Sequence, residues 1–120
     1  MKVTQFVLNI NSEQPEELGR FYRDVVGLEP NPAIGGDAFT LGAGVSMLID
    51  GHSEVKGRVK EPERVLINFF VDDLVAEQAR LEAQGVEFIR TAGREFWGGV
   101  ISTFLDPDGN YCQLIEFSPA

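Results

Sequence analysis

The 120-residue sequence predicts an α+β fold assembled from two copies of one module, each reading strand, helix, then two or three strands. Three observations predict it. Two amphipathic helices each stop at a glycine, and the segments that follow, Gly27-Leu28-Glu29 and Gly85-Val86-Glu87, match residue by residue. Short β-rich stretches flank both helices in the same order. Near the end of each half, Ser46-Met47-Leu48-Ile49-Asp50 matches Cys112-Gln113-Leu114-Ile115-Glu116 at a constant offset of 66.

The first half opens with Val3 to Ile10, an apolar stretch with Gln5 and Asn9 interleaved, which reads as a strand. Pro15 with Glu16 and Glu17 marks a helix start, because proline is tolerated in the first turn and acidic side chains suit the positive end of the helix dipole. Leu18, Phe21, Tyr22, Val25 and Val26 then fall on one helical face, and Gly27 supplies the left-handed stop. Strands are expected around Ala38–Leu41 and Val45–Ile49, across the turn Gly42-Ala43-Gly44. In the second half, Val65 to Val71 reads as a strand, and Asp72-Asp73 cap a helix over Leu74–Gln84 that ends at Gly85. Strands follow at Val86–Arg90 and near Val100–Leu105. The turn Asp106-Pro107-Asp108-Gly109-Asn110 then leads into a last strand, Tyr111–Phe117. The expected modules are 1–51 and 64–120 of a single domain, with a polar linker at about 52–63.

Composition narrows the function classes. A formal charge of -9 opposes a nucleic-acid or anionic-membrane partner, since phosphates would be repelled. No run of apolar residues is long enough for a membrane-spanning helix, and the N-terminus lacks the basic start and apolar run of a signal peptide. One cysteine, Cys112, allows no internal disulfide. These features together predict a cytoplasmic protein. The one histidine, His52, lies in the linker, so no Ser-His-Asp or Cys-His arrangement is inferable.

Several segments carry a resemblance. Leu18-Gly19-Arg20-Phe21-Tyr22-Arg23-Asp24-Val25-Val26-Gly27-Leu28 resembles the first helix of the glyoxalase / bleomycin-resistance / dioxygenase (vicinal oxygen chelate) superfamily. Val71-Asp72-Asp73-Leu74 with Gly85-Val86 is similar to its second helix. Trp97-Gly98-Gly99 through Phe104-Leu105-Asp106-Pro107-Asp108-Gly109-Asn110 is similar to its closing hairpin. The resemblance covers nearly the whole chain. It implies paired βαβββ modules whose mixed sheets curve into a cup that holds a ligand, and, as usual in that family, a homodimer.

The resemblance also implies where a divalent metal would bind in metal-dependent members. Those positions fall here on Gln5, Met47, Leu66 and Gln113. The set holds no imidazole and no carboxylate, so it leaves the charge of an ion uncompensated. With one histidine in the chain, a two-His-one-carboxylate iron site is excluded. No metal or other cofactor is therefore expected. A metal built on Glu116, Asp50 or His52 would need a shifted register. Asp50-Gly51 reads as a turn and Glu116 as an outward charge near the terminus.

Alternation along the strands then gives the expected cup lining: Val3, Gln5, Val7 and Asn9; Leu66, Asn68 and Phe70; Val45, Met47 and Ile49; Tyr111, Gln113 and Ile115. Trp97, beside Gly98-Gly99, is either a rim that stacks on a planar ligand or a cover for the sheet edge. Candidate ligand contacts are Gln5, Val7, Asn9, Met47, Leu66, Asn68, Phe70, Trp97, Tyr111 and Gln113. The same side chains could instead fill a closed core, with amides pairing with one another.

Three functional readings follow. The leading one is a metal-free small-molecule-binding protein, similar to the bleomycin-resistance proteins. The second is a lyase, isomerase or dioxygenase of the same superfamily with displaced metal ligands, or a metal-free catalyst using Gln5, Tyr111 or Glu116. The third is a vestigial cup that serves as a protein-interaction module.

Overall fold

The computed structural model describes residues 1–117, and the last three residues of the expected second module lie outside them. The chain forms two compact units, Met1–Gly57 and Arg58–Ala120. Each carries its own four-stranded mixed sheet. In the first unit the strands are β1 (Phe6–Ser12), β2 (Glu29–Pro30), β3 (Asp37–Gly42) and β4 (Val45–Gly51), in the spatial order β1-β4-β3-β2. In the second unit they are β5 (Ile67–Phe70), β6 (Phe88–Arg94), β7 (Gly99–Leu105) and β8 (Tyr111–Phe117), in the order β5-β8-β7-β6. In both units the first strand pairs parallel with the last, and the others pair antiparallel. Two βαβββ modules of one topology are the result.

In the first unit, α1 (Pro15–Arg20) begins with Pro15 and the acidic pair Glu16 and Glu17 in its first turn. The helix then widens into a π-helical stretch, Phe21–Val26. Gly27, at φ 86°, ends it, and both Gly27 and Leu28 donate their amides to the Tyr22 carbonyl. Leu18 and Tyr22 are fully buried. Gly19 lies so close to β3 that a Cβ there would strike the Asp37 carboxylate. Arg23 reaches the same carboxylate at 2.9 Å and Asp24 at 3.1 Å. The hydrogen bond and charge of Asp24, then those of Asp37, raise the Arg23 pKa.

These contacts fix which side of the first sheet the helix covers. Asp37 pairs with Ile49, Phe39 with Met47, and Met47 with Leu8. Asp37, Phe39, Leu8, Ile10, Met47 and Ile49 therefore share the helix side. The other face carries Val7, Asn9, Ser46, Leu48, Ala38 and Thr40.

In the second unit, α2 (Leu74–Ala83) is capped by Asp73, whose carboxylate accepts the Ala76 amide at 3.0 Å. Its Leu74 and Leu81 are buried. Glu116 is not an outward charge as expected: its carboxylate accepts the Leu74 amide at 3.0 Å, satisfying one of the orphan donors of the first turn of α2. The closing turn is held by Asp106. Its Oδ1 accepts the amides of Asp108 and Asn110, and its Oδ2 accepts Asn110 Nδ2.

Several boundaries differ from the sequence reading. Val3 and Gln5 precede β1, and Val65 and Leu66 precede β5. A single 3-10 turn, Pro62–Arg64, interrupts the linker. The largest difference is at β6, which starts at Phe88 and continues to Arg94, with two register shifts against β7. No helix among the described residues is long and apolar enough to cross a membrane.

Candidate functional site

Of the predicted site residues, Val7, Asn9, Asn68, Phe70, Tyr111 and Gln113 lie on the helix-free faces of the sheets, Gln5, Leu66 and Trp97 lie outside the strands, and Met47 is a correction. Met47 faces the helix, is 0% exposed, and lies on the opposite side from Val7 and Asn9. Val45 and Ile49 go with it. Their parallel ladder to β1 pairs Phe6 with Val45, Leu8 with Met47 and Ile10 with Ile49. The offset of 66 caused this error. Placing Gln5 opposite Leu66, as the resemblance does, aligns Val7 with Asn68. The pairings Val7↔Ser46 and Asn68↔Gln113 then make Ser46 the counterpart of Gln113, an offset of 67. A slip of one residue exchanges the two faces of a strand.

In the second unit the corrected ladder draws one polar row across all four strands. Asn68 on β5 pairs with Gln113 on β8, Gln113 with Thr103 on β7, and Thr103 with Arg90 on β6. Gln113 donates its side-chain amide to Thr103 Oγ1 at 3.0 Å. Asn68 and Arg90 at the ends are accessible, whereas Thr103 between them is buried. Apolar side chains flank the row on the same face, with Phe70, Ile115 and Ile101 to one side and Tyr111 and Leu105 to the other. Phe70 is 68% exposed. Leu66, just before β5, is exposed as well.

Trp97 closes one end of this face. Gly99, opposite Phe117, has no side chain, and a Cβ there would land in the Trp97 ring. The indole lies over Gly99 and stacks on Phe117, with centroids 6.2 Å apart and planes 11° apart. Beside it, the tip residue Phe96 is 98% exposed.

The first unit's row at the same level is Val7, Ser46, Thr40 and Glu29. Gln5, Thr40 and Ser46 line a pocket of about 390 Å³ with Asn31, Ile34 and the Gly42-Ala43-Gly44 turn. Asn9 donates its amide to Asp50 at 3.4 Å on the same face. Cys112 is fully buried on the helix side of β8.

Sequence reasoning missed Thr103, Arg90, Ser46 and Thr40. Thr103 could have been found from alternation along Val100–Leu105, since it shares a face with Ile101 and Leu105. Arg90 could not, because register shifts decide its face.

The donor set does not fit the divalent metal of the metal-dependent fold family. Gln5 and Gln113 are amides, Leu66 has no donor, and Met47 with its thioether is replaced in register by the hydroxyl of Ser46. Among the described residues no three His, Cys, Asp or Glu side chains gather where they could hold an ion. His52 Nδ1 accepts the Glu54 amide within the linker.

Paired βαβββ modules with polar and apolar side chains on their helix-free faces define a class of small α+β proteins that use one scaffold for many chemistries. The chain belongs to the Glyoxalase/Bleomycin resistance protein/Dioxygenase superfamily, whose profile matches residues 4–114. Solved structures share the fold. VPC_CASS1, from the mobile metagenome of V. Pseudocholerae, is 21% identical with a TM-score of 0.75, over 99% of this chain and 98% of that one. A glyoxalase/bleomycin resistance protein/dioxygenase family enzyme from Burkholderia phytofirmans PsJN is 17% identical with a TM-score of 0.76, over 98% and 100%. TnmS3, an antibiotic binding protein from Streptomyces sp. CB03234, is 24% identical with a TM-score of 0.69, over 98% and 97%. No curated protein matches the chain in sequence.

Proposed function

We propose that the chain is a metal-free small-molecule-binding protein that takes its ligand on the helix-free faces of its sheets. The observation that carries this reading is the row Asn68–Gln113–Thr103 set between the exposed Phe70 on one side and the half-buried Tyr111 on the other. A few convergent polar groups among apolar ones are the usual makeup of a ligand site. Amides supply both donors and acceptors, and Phe70, Tyr111 and the Trp97–Phe117 stack supply flat apolar area. The use of this fold for antibiotic binding in TnmS3 supports the reading. On the first unit, Gln5, Val7, Asn9 and Ser46 belong to the same surface type.

Amides and alcohols are poor bases near neutral pH, and the ligand chemistry gives a metal nothing to hold, so binding rather than turnover is the favoured activity. The same reading places the protein in the cytoplasm as a homodimer; light scattering tests the second point. Two measurements test the core of it. Protein incubated with nickel, manganese, iron and zinc and then desalted is expected to retain no stoichiometric metal. A compound library is expected to contain ligands that quench Trp97, the only tryptophan. About one retained ion per chain would overturn the metal-free reading. A library without a single quencher or thermal stabiliser would overturn binding.

A further inference from the structure

The strand β6 carries an unusual amount of irregularity for seven residues. Its pairing with β7 runs Phe88↔Phe104, then Arg90↔Thr103, then Gly93↔Ile101. Each step gives β6 one residue more than β7, so two bulges lie between Phe88 and Gly93. Within the second bulge Ala92 has φ 46°, the only described non-glycine residue with a positive φ. The arrangement is tied down from the helix side. Ala92 donates its amide to Ser102 Oγ at 2.8 Å, and the buried Ser102 hydroxyl donates to Gln78 Oε1 on α2 at 2.6 Å.

The first bulge changes which way Arg90 faces. Phe88 pairs with Phe104, which faces the helix, and regular alternation would put Arg90 on that side too. The extra residue moves Arg90 opposite Thr103, onto the helix-free face. There its side chain runs along the strand over Gly93, where a Cβ would collide with it. The guanidinium meets the Glu95 carboxylate at 2.8 Å. A strained residue, a double bulge and a bare glycine thus combine to hold one cation on the helix-free face, over Gly93 at the level of Ile101 and next to the polar row. Bulges that re-aim a side chain cluster beside functional sites, as does strained backbone.

We infer that Arg90 is a ligand-recognition residue, and that it takes an oxyanion of carboxylate type carried by a planar ligand on the helix-free face of the second sheet. This rests on the proposal above that this face binds small molecules. Glu95 occupies the position of that oxyanion in the free protein. Both side chains of the pair are about a third exposed (39% and 28%), and such a pair is weak, so an incoming carboxylate exchanges for Glu95 at small cost. Arg90 offers a planar fork of donors matched to a carboxylate, and Trp97 and Phe117 lie on the same face for the ring. The charge of -9 opposes an anion at long range, but salt screens that repulsion beyond about 8 Å, while the Arg90 contact is local.

The test uses 2-naphthoate and 2-naphthamide, which share a ring system and differ in charge. Both are titrated at 0.15 M ionic strength into the full chain labelled with nitrogen-15. The Trp97 indole and the Asn68 and Gln113 side-chain amide signals report binding at this face. Wild type is expected to prefer the carboxylate by roughly tenfold, the value of one charge-assisted hydrogen-bonded contact. Arg90→Gln is expected to abolish the preference, and Glu95→Gln to strengthen naphthoate binding severalfold while leaving the amide unchanged. Equal binding of both probes, with Arg90→Gln altering neither, would overturn the assignment and leave the face as a binding site. No shift of the reporter signals by either probe would count against the binding site itself, and the assignment would fall with it.

Discussion

Gln113 and Thr103 join β8 to β7 on the helix-free face through a 3.0 Å hydrogen bond from amide to hydroxyl. The bond fixes which end of the Gln113 amide is committed to the protein. Nε2 is engaged, and Oε1 is the end left to accept from a ligand. Thr103→Val keeps the shape of the side chain and removes the acceptor. It is expected to cost about 1 kcal/mol of stability, measured by urea denaturation, because a half-buried donor loses its partner. Ligands that donate to Gln113 are expected to lose affinity in the same variant, because the amide is then free to turn over.

Met47 tests the corrected strand register. Being fully buried on the helix side, it contributes packing and touches no ligand on the other face. Met47→Ala is expected to destabilise the protein by about 2–4 kcal/mol, seen as a lower denaturant midpoint. Its affinity for any helix-free-face ligand should stay within twofold of wild type. A large affinity loss with unchanged stability would return Met47 to the lining.

Gly99 is the seat of the Trp97 ring. A methyl group at this position has no room until the indole lifts away from Phe117. Gly99→Ala is therefore expected to shift tryptophan emission to longer wavelength as the ring gains solvent, and to cost about 1–3 kcal/mol. Unchanged emission would show that the ring accommodates the methyl without moving.

Ser102 is expected to control the conformation of β6. Removing its hydroxyl in Ser102→Ala leaves the Ala92 amide and Gln78 Oε1 unpaired beside a positive-φ residue. A loss of about 1–3 kcal/mol is expected. Amide exchange should accelerate at Ala92 more than along β8, and hydrogen-exchange mass spectrometry can resolve the two segments.

The parts of the fold that chemistry marks locally were legible in the sequence. Pro15 with two glutamates, Asp73 at the head of α2, the stops at Gly27 and Gly85, and the Asp106–Asn110 turn all act within a few residues of themselves. The repeat was legible as well, but not its register. Val45-Ser46-Met47-Leu48-Ile49 is apolar on both faces, so it lacks the period-two pattern that would say which side is which. Similarity between Ser46–Asp50 and Cys112–Glu116 then favoured an alignment one residue short. The route of β6 was illegible for a different reason. Its bulges depend on the Ser102 and Gln78 side chains, which lie on other elements, and nothing in Phe88–Arg94 alone announces them. The π-wound second half of the first helix and the two-residue β2 are likewise products of packing rather than of local preference.

Cys112 is the single thiol of the chain, fully buried between Ile67 on one side and Phe104 on the other. Its side chain lies under the helix, so an alkylating reagent reaches it only when α2 lifts off the sheet or β8 parts from its neighbours, and its rate of labelling is a clock for the opening of the second unit. A molecule seated on the far side of the same strand slows those openings that also break its own site. Binding can thus be timed from the back of the sheet, on the unmutated protein, before anything is known about what binds.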